Sequence, residues 1–536
     1  MEDSKETIVK SIKNFFCGTF LSRMSGMCRD MSLAYFFGNS PHLAAFLIAF
    51  RFSNFFRRLL GEGAVNAGFI PHYESIKKEE KKKAAIFYRD LFFTFIVLMG
   101  GIVLLGEVFF LLFGKRITGE GAREILFFAK VMLPGLIFIC LYALNGALLQ
   151  SHRKYFLFAV APIAFNLVWI CFIFFIRNKP VANAVFILSF GVIFAYFMQW
   201  MMTAFSSFSL FKGILSKKEW FSPQIFSSSL KRLARPFSLG ILGIGAIQVN
   251  NVLDSIFARI IESCGPTYLW YSVRVYHLPF ALFGIAIAGA LLPPLSRAIE
   301  KGDKDKYFSL INLSLCRGIG LMLTATVAIF ILGGMGINLL FGRGDFSEAN
   351  IWKTLYCLWN YTIGLLPATG VLILAAALYA KKNYFIPTMG AILAVCLNIF
   401  LNSFFIFFMK KGVESISLAT SISSFFNFLF LAYFLQRQEK NIFDKKKLFL
   451  SFSKTFLCNC FAASIVVFLG LFYLKEPALR YLFTSYTSSL PRLFSLQLMH
   501  FLPLTFIFLL ALFVSAKVFK TEDILDFVTR TSLDVR

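Results

Sequence analysis

The residues best suited to chemistry in this chain are arginines set where an arginine is costly. In "FLSRMSGMCRDMSLAYFFG", residues 20–38, Arg23, Arg29 and Asp30 interrupt an apolar run. Arg51, Arg57, Arg58 and Glu62 interrupt the next run, and Arg274, with His277 one turn on, a later one. With a 1.5 Å rise per residue, a helix entering the bilayer near Lys13 carries Arg23 about 15 Å inward, near mid-membrane, and Arg29 about 9 Å further. A side chain that snorkels to the interface starts near a helix end, which suits Arg29 but not Arg23. Asp30 falls on the stripe of Arg23, Gly26 and Met27, while Arg51, Arg58 and Glu62 share a second stripe with Arg57 beside it. Arg58 and Glu62 have the i, i+4 spacing of an ion pair. Each arginine costs at least ~2.5–3.5 kcal/mol at a helix centre, so such charges face a bundle interior or a wet cavity. Internal salt bridges, Arg29 with Asp30 or Glu62 for instance, account for single residues but not for the set, because the arginines outnumber the acids. Guanidinium groups without a carboxylate suit phosphate through paired donors. The pattern points to a cationic, water-filled cavity for an anionic substrate.

The elements that must position these residues are membrane helices. Of 536 residues, 58% are hydrophobic and only 15% charged, with a mean hydropathy of +0.72, against roughly 45–50% apolar in soluble domains. This composition defines an all-α integral membrane protein. Apolar runs predict about fourteen transmembrane helices, over 13–38, 42–70, 85–113, 124–150, 155–176, 183–211, 236–261, 267–295, 307–341, 351–380, 384–409, 413–436, 448–474 and 495–519.

The net charge of +26 is a topology signal and not a nucleic-acid footprint. Lysine and arginine gather in alternate connections: "KKEEKKK" at 77–83, "SHRK" at 151–154, the 212–235 segment, "RAIEKGDKDK" at 297–306, "KK" at 381–382 and "RQEKNIFDKKK" at 437–447. The intervening "GNSPH" and "ESCGP" are nearly bare. About thirty basic residues thus lie on one side against about a dozen on the other, which predicts two cytoplasmic termini. The start, "MEDSKETIVKSIKNFF", has acidic residues and no small-residue cleavage site, so the first helix is expected to act as its own signal. The 10 cysteines fall almost entirely within apolar spans and read as small apolar residues. No H-x-x-x-H, G-x-S-x-G or Walker-type loop occurs, and the long 212–235 connection offers only Glu219 and no histidine, which argues against an enzyme.

A repeat organises the helices. "AFRFSNFFRRLLGEGAVNAGFIPHYESIKKEEKKK" and "SVRVYHLPFALFGIAIAGALLPPLSRAIEKGDKDK" align at Arg51 with Arg274, Gly61 with Gly284 and Pro71 with Pro294. "ALLQSHRKYF", ending at Phe156, and "AALYAKKNYF", ending at Phe385, show a similar offset. Two six-helix bundles in a parallel repeat follow, as in some secondary transporters. The expected divisions are 1–214 for the first bundle, 215–235 for a cytoplasmic linker, 236–436 for the second bundle and 437–536 for two additional helices and the tail.

"FLSRMSGMCRD" with "YFFG" and "NFFRRLLGEGAVNAGFIPHY", and "YSVRVYHLPFALFGIAIAGALLPPLS" in the eighth span, resemble the MurJ (MviN) family of lipid II flippases within the multidrug/oligosaccharidyl-lipid/polysaccharide exporter superfamily. The resemblance covers essentially the whole chain. It implies a V-shaped pair of bundles with a central cavity, a groove formed with the last two helices for a polyprenyl tail, and flipping of lipid-linked peptidoglycan precursor across the bacterial inner membrane by alternating access. The family's important arginines fall on Arg23, Arg29, Arg57 and Arg274. One position departs: where many members carry an acid before the "AF" of the second helix, this chain reads "HLAAF", with Ala44 there. Lipid II and membrane lipids are the implied partners, with cell-wall synthesis proteins beside them and a monomeric state. The alternatives are export of another polyprenyl-diphosphate-linked saccharide, or of a drug; a cationic drug would fit badly among arginines.

No cofactor is expected beyond a coupling cation such as Na+ or H+. Asp254 in the seventh span, Asn398 and Asn402 in the eleventh and Thr420 in the twelfth offer oxygen ligands for one. The alternative for them is ordinary interhelical hydrogen bonding.

Overall fold

The computed structural model describes residues 5–56, 58–59, 65–117, 119–152, 154–225, 234–472 and 490–521, with Leu479 and Leu525. Among these, ten helices are long and apolar enough to cross a membrane, and the pair Glu120–Met132 with Gly135–Ser151, bent by 51°, makes an eleventh. The chain is a multi-pass, all-helical membrane protein. It divides into two compact units, Met1–Ile256 and Phe257–Arg536.

In the first unit the helices are α1 Lys5–Phe37, α2 Pro41–Phe56, α3 Val65–Glu79, α4 Lys81–Phe113, α5 Glu120–Met132, α6 Gly135–Ser151, α7 Tyr155–Val160, α8 Pro162–Ile176, α9 Val181–Ser209 and the short α10 Lys217–Trp220. The next helix, α11 Ala234–Ile261, contains the division between the units. α1 packs on α7 and α8, α2 on α5 and α9, and α9 also takes α6 and α8. Aromatic rings form the centre: fully buried Trp169 meets Phe46 at 5.6 Å and Phe50 at 4.8 Å, and Phe165 stacks on Tyr196 at 5.0 Å. Such pairs add about 0.5–1.5 kcal/mol beyond the area they bury.

In the second unit, α12 Gly265–Pro279 passes through a π-helical segment, Phe280–Ile285, into α13 Ala286–Glu300. There follow α14 Lys304–Phe341, α15 Glu348–Ile363, α16 Leu365–Ala380, α17 Phe385–Ser403, α18 Glu414–Gln438, α19 Lys445–Phe472 and α20 Phe494–Val518. α14 is the spine of this unit, packing on α15, α16, α19 and α20. The last two helices therefore dock on the unit through α14.

Local chemistry explains where the observed helices depart from the expected spans. The expected 124–150 span breaks between Met132 and Gly135, where Pro134 supplies no N–H for a continuous ladder. The charged run 77–83, read as a connection, is helical on both sides of Glu80, because lysine and glutamate are good helix formers. The repeat has a conformational counterpart: residues 58–59 are wound as a π turn, and the positions matched to them at the offset of Arg51 and Arg274 lie in the π-helical segment Phe280–Ile285. Gly61 itself lies outside the described residues.

Candidate functional site

The arginines of the first unit separate into distinct environments. Arg29 is buried on α1, and its Nε and Nη2 both donate to Oδ1 of Asp30, at 3.1 and 2.8 Å. Its Nη1 donates to Oδ1 of Asn166 on α8 at 3.1 Å, and its plane lies 4.7 Å from the Trp169 ring. Asn166 passes the network on, its Nδ2 donating to Oγ of Ser25 at 2.8 Å and to the Ser22 carbonyl at 3.3 Å. The cation is thus satisfied by a carboxylate, an amide and an aromatic face, the conditions under which a buried charge is tolerated. The Arg29–Asp30 pair is internal, as the salt-bridge reading expects.

Arg23, six residues earlier on the same helix, is exposed and has no ion-pair or hydrogen-bond partner among the described residues. Arg51, partly buried on α2, donates from Nη1 to Oγ of Ser255 at 2.7 Å and to the Asn251 carbonyl at 3.2 Å, which pins α2 to α11. Arg58 is exposed, whereas Arg57 and Glu62 lie outside the described residues. In the second unit, Arg274 on α12 stacks over the Trp270 ring at 4.2 Å. Ala44 is fully buried within the continuous buried stretch Leu43–Phe50 of α2. Two residues earlier, His42 Nδ1 meets Oε1 of Glu124 on α5.

Asp254 is buried on α11, and its Oδ2 accepts from Nδ2 of Asn250 at 3.2 Å. Asn398, Asn402 and Thr420 come together: Asn402 donates to Oδ1 of Asn398 at 2.8 Å, and Asn398 donates to Oγ1 of Thr420 at 3.2 Å. This chain ties α17 to α18 as ordinary interhelical hydrogen bonds do.

Sequence reasoning missed Asn166, Trp169 and Ser255 as arginine partners, and it missed a second buried pair on α4. There Arg89 donates from Nε and Nη2 to Oδ1 of Asp90, at 2.9 and 2.6 Å, the same geometry as Arg29 on Asp30. The available signal was the Arg-Asp dipeptide, which stands inside an apolar run in both helices.

Solved structures locate the fold. A lipid II flippase MurJ in an inward closed conformation aligns with a TM-score of 0.74 at 23% identity, covering 95% of this chain and 99% of that one. An inward-facing multidrug resistance MATE family transporter of the MOP superfamily aligns with a TM-score of 0.64 at 13% identity, covering 78% of this chain and 96% of that one. The fold is therefore of the class that these two structures define. Within that class the sequence is more specific: the family model described as lipid II flippase MurJ matches residues 33–487. A probable lipid II flippase MurJ of Chlamydia pneumoniae is 28% identical over 534 residues, 98% of this chain and 95% of the relative. Those of Chlamydia muridarum and Aquifex aeolicus are 31% identical over 435 residues (81% of this chain, 79% of the relative) and 32% identical over 426 residues (76% and 80%). The chain belongs to the lipid II flippase MurJ family.

Proposed function

We propose that this member of the lipid II flippase family moves lipid II from the cytoplasmic to the periplasmic leaflet by alternating access, with Arg23 binding the anionic diphosphate. The observation that carries this reading is the contrast on α1: Arg29 is consumed by Asp30, Asn166 and Trp169, whereas Arg23 is exposed and has no protein partner among the described residues. A guanidinium offers a phosphate two parallel donors, and binding in a poorly screened site strengthens both. On this reading Arg51, Arg57, Arg58 and Arg274 add donors as the head group moves, and the Arg29–Asp30 pair holds α1 in position. No bond is made or broken; the chain supplies binding and a change of access.

The finer architecture belongs to the same reading. It comprises about fourteen spans, in two six-helix bundles plus two further helices, with both termini cytoplasmic as the distribution of lysine and arginine requires. α1, α2 and α11 complete the count, although each carries ionisable or amide side chains within its length. Asp254 is proposed as the carboxylate through which a cation, Na+ or H+, couples to transport. The deciding experiment is depletion of the protein followed by assay of lipid II in each leaflet. Accumulation in the cytoplasmic leaflet is expected; an unchanged distribution contradicts the proposal.

A further inference from the structure

The chain that follows α9 does not simply leave the membrane; it folds back onto the ends of α4 and α9. Ser216 caps the short α10 through a reciprocal capping box with Glu219. Glu219 takes an ion pair from Lys82 at 2.7 Å, its carbonyl accepts from Arg89 Nη1 at 2.5 Å, and the Gln224 N–H donates to Oδ1 of Asp90 at 3.0 Å. Trp220 is enclosed by Phe92, Phe93, Phe208 and Phe211, with ring centroids 5.4–6.3 Å away. Since α4 and α9 are apolar spans, this seat holds residues 212–225 at the level where the spans end.

Two kinds of side chain remain outside that seat. Phe221 is 75% exposed and Ile225 is 44% exposed. Around them stand exposed lysines. Glu74 pairs with Lys77, Glu80 with Lys83 and Glu219 with Lys82, which leaves Lys78, Lys81, Lys212, Lys217 and Lys218 against the single carboxylate of Glu79. A bulky apolar side chain beside uncompensated lysines, outside any span but anchored at its end, is the pattern of an element lying in the head-group layer. Neither water nor a soluble acidic ligand accounts for the exposed phenylalanine; an anionic lipid surface accounts for both features, since Phe221 enters the acyl boundary while the lysines meet head-group phosphates.

We propose that residues 212–225 form an interfacial foot that binds anionic phospholipid head groups where α4 and α9 end. The test uses the full chain in vesicles without lipid II, so that its outcome is independent of the transport reading. A bimane fluorophore is attached to Phe221→Cys in a background whose other accessible cysteines are serine. Quenching by acyl-brominated phosphatidylglycerol is compared with quenching by acyl-brominated phosphatidylcholine at equal mole fraction. The expected result is severalfold stronger quenching by phosphatidylglycerol, reduced by high salt and abolished as a preference by Lys212→Gln, Lys217→Gln and Lys218→Gln together, with phosphatidylcholine quenching retained. Equal quenching by the two lipids with the lysines intact overturns the proposal, as does absence of quenching by both.

Discussion

Nη1 of Arg29 donates to Oδ1 of Asn166 across 3.1 Å, joining α1 to α8 through residues 137 positions apart in the sequence. The bond fixes the rotation of α1 and turns Arg29 and Asp30 inward, and Arg23 is the arginine left exposed on that helix. On the proposed reading, binding falls to Arg23 and positioning to Arg29, two arginines that the sequence alone groups together.

Arg29→Ala leaves Asp30 buried without its cation, a loss expected to cost about 3–5 kcal/mol. Asn166→Ala removes one partner of a charged donor and is expected to cost about 1–3 kcal/mol. Thermal unfolding of the purified variants, read beside their abundance in the membrane, checks both. Activity of Arg29→Ala should fall in step with abundance; normal stability would mean that the pair does not hold α1.

Stability should also depend on pH through His152, which lies just beyond α6 and whose Nε2 pairs with the Tyr73 hydroxyl at 2.9 Å. Burial first, and then the charge of Lys77, lowers its pKa from 6.5 to about 4. Above pH 6.5 the imidazole is neutral whether the chain is folded or not. Between 6.5 and 4 the unfolded chain binds a proton that the folded one resists, so stability is complete above this window and falls as pH drops through it. His152→Gln should flatten the melting temperature across that range, and an undiminished slope in the variant would locate the titrating group elsewhere.

Close helix contacts give a third prediction. A Cβ added at Gly265 would stand 2.2 Å from the Ala258 carbonyl oxygen, a backbone atom that cannot rotate away, whereas at Gly100 it would meet nothing within 4 Å. Gly265→Ala is expected to destabilise by about 1–3 kcal/mol or more. Gly100→Ala should be neutral or gain up to ~1 kcal/mol from helix propensity. Equal melting temperatures for the two variants would contradict the packing described at Gly265.

Much of this arrangement is legible in the residues. Hydropathy alone predicts 307–341 and 448–474, and the apolar helices run Lys304–Phe341 and Lys445–Phe472. The internal pairing of Arg29 with Asp30 is readable because the two are adjacent on one helix. Asn166 and Ser255 are not readable as partners, because only packing of α8 and α11 brings them to Arg29 and Arg51. The fold-back at 216–224 was half visible: Ser216 and Glu219 spell a capping box, but the seat for Trp220 is assembled from rings on two distant helices. The bend after Met132 needed Pro134 to be weighed above the apolar run that continues past it.

The central claim is that Arg23 binds the substrate's diphosphate rather than a protein carboxylate. Its most direct test is lipid II flipping by purified protein in vesicles, normalised to the amount of inserted protein, for Arg23→Ala and Arg23→Lys. Lysine keeps the charge but loses the planar fork of donors. The account predicts normal abundance for both variants, loss of flipping in Arg23→Ala and partial flipping in Arg23→Lys. Flipping by Arg23→Ala at the unmodified rate would contradict it.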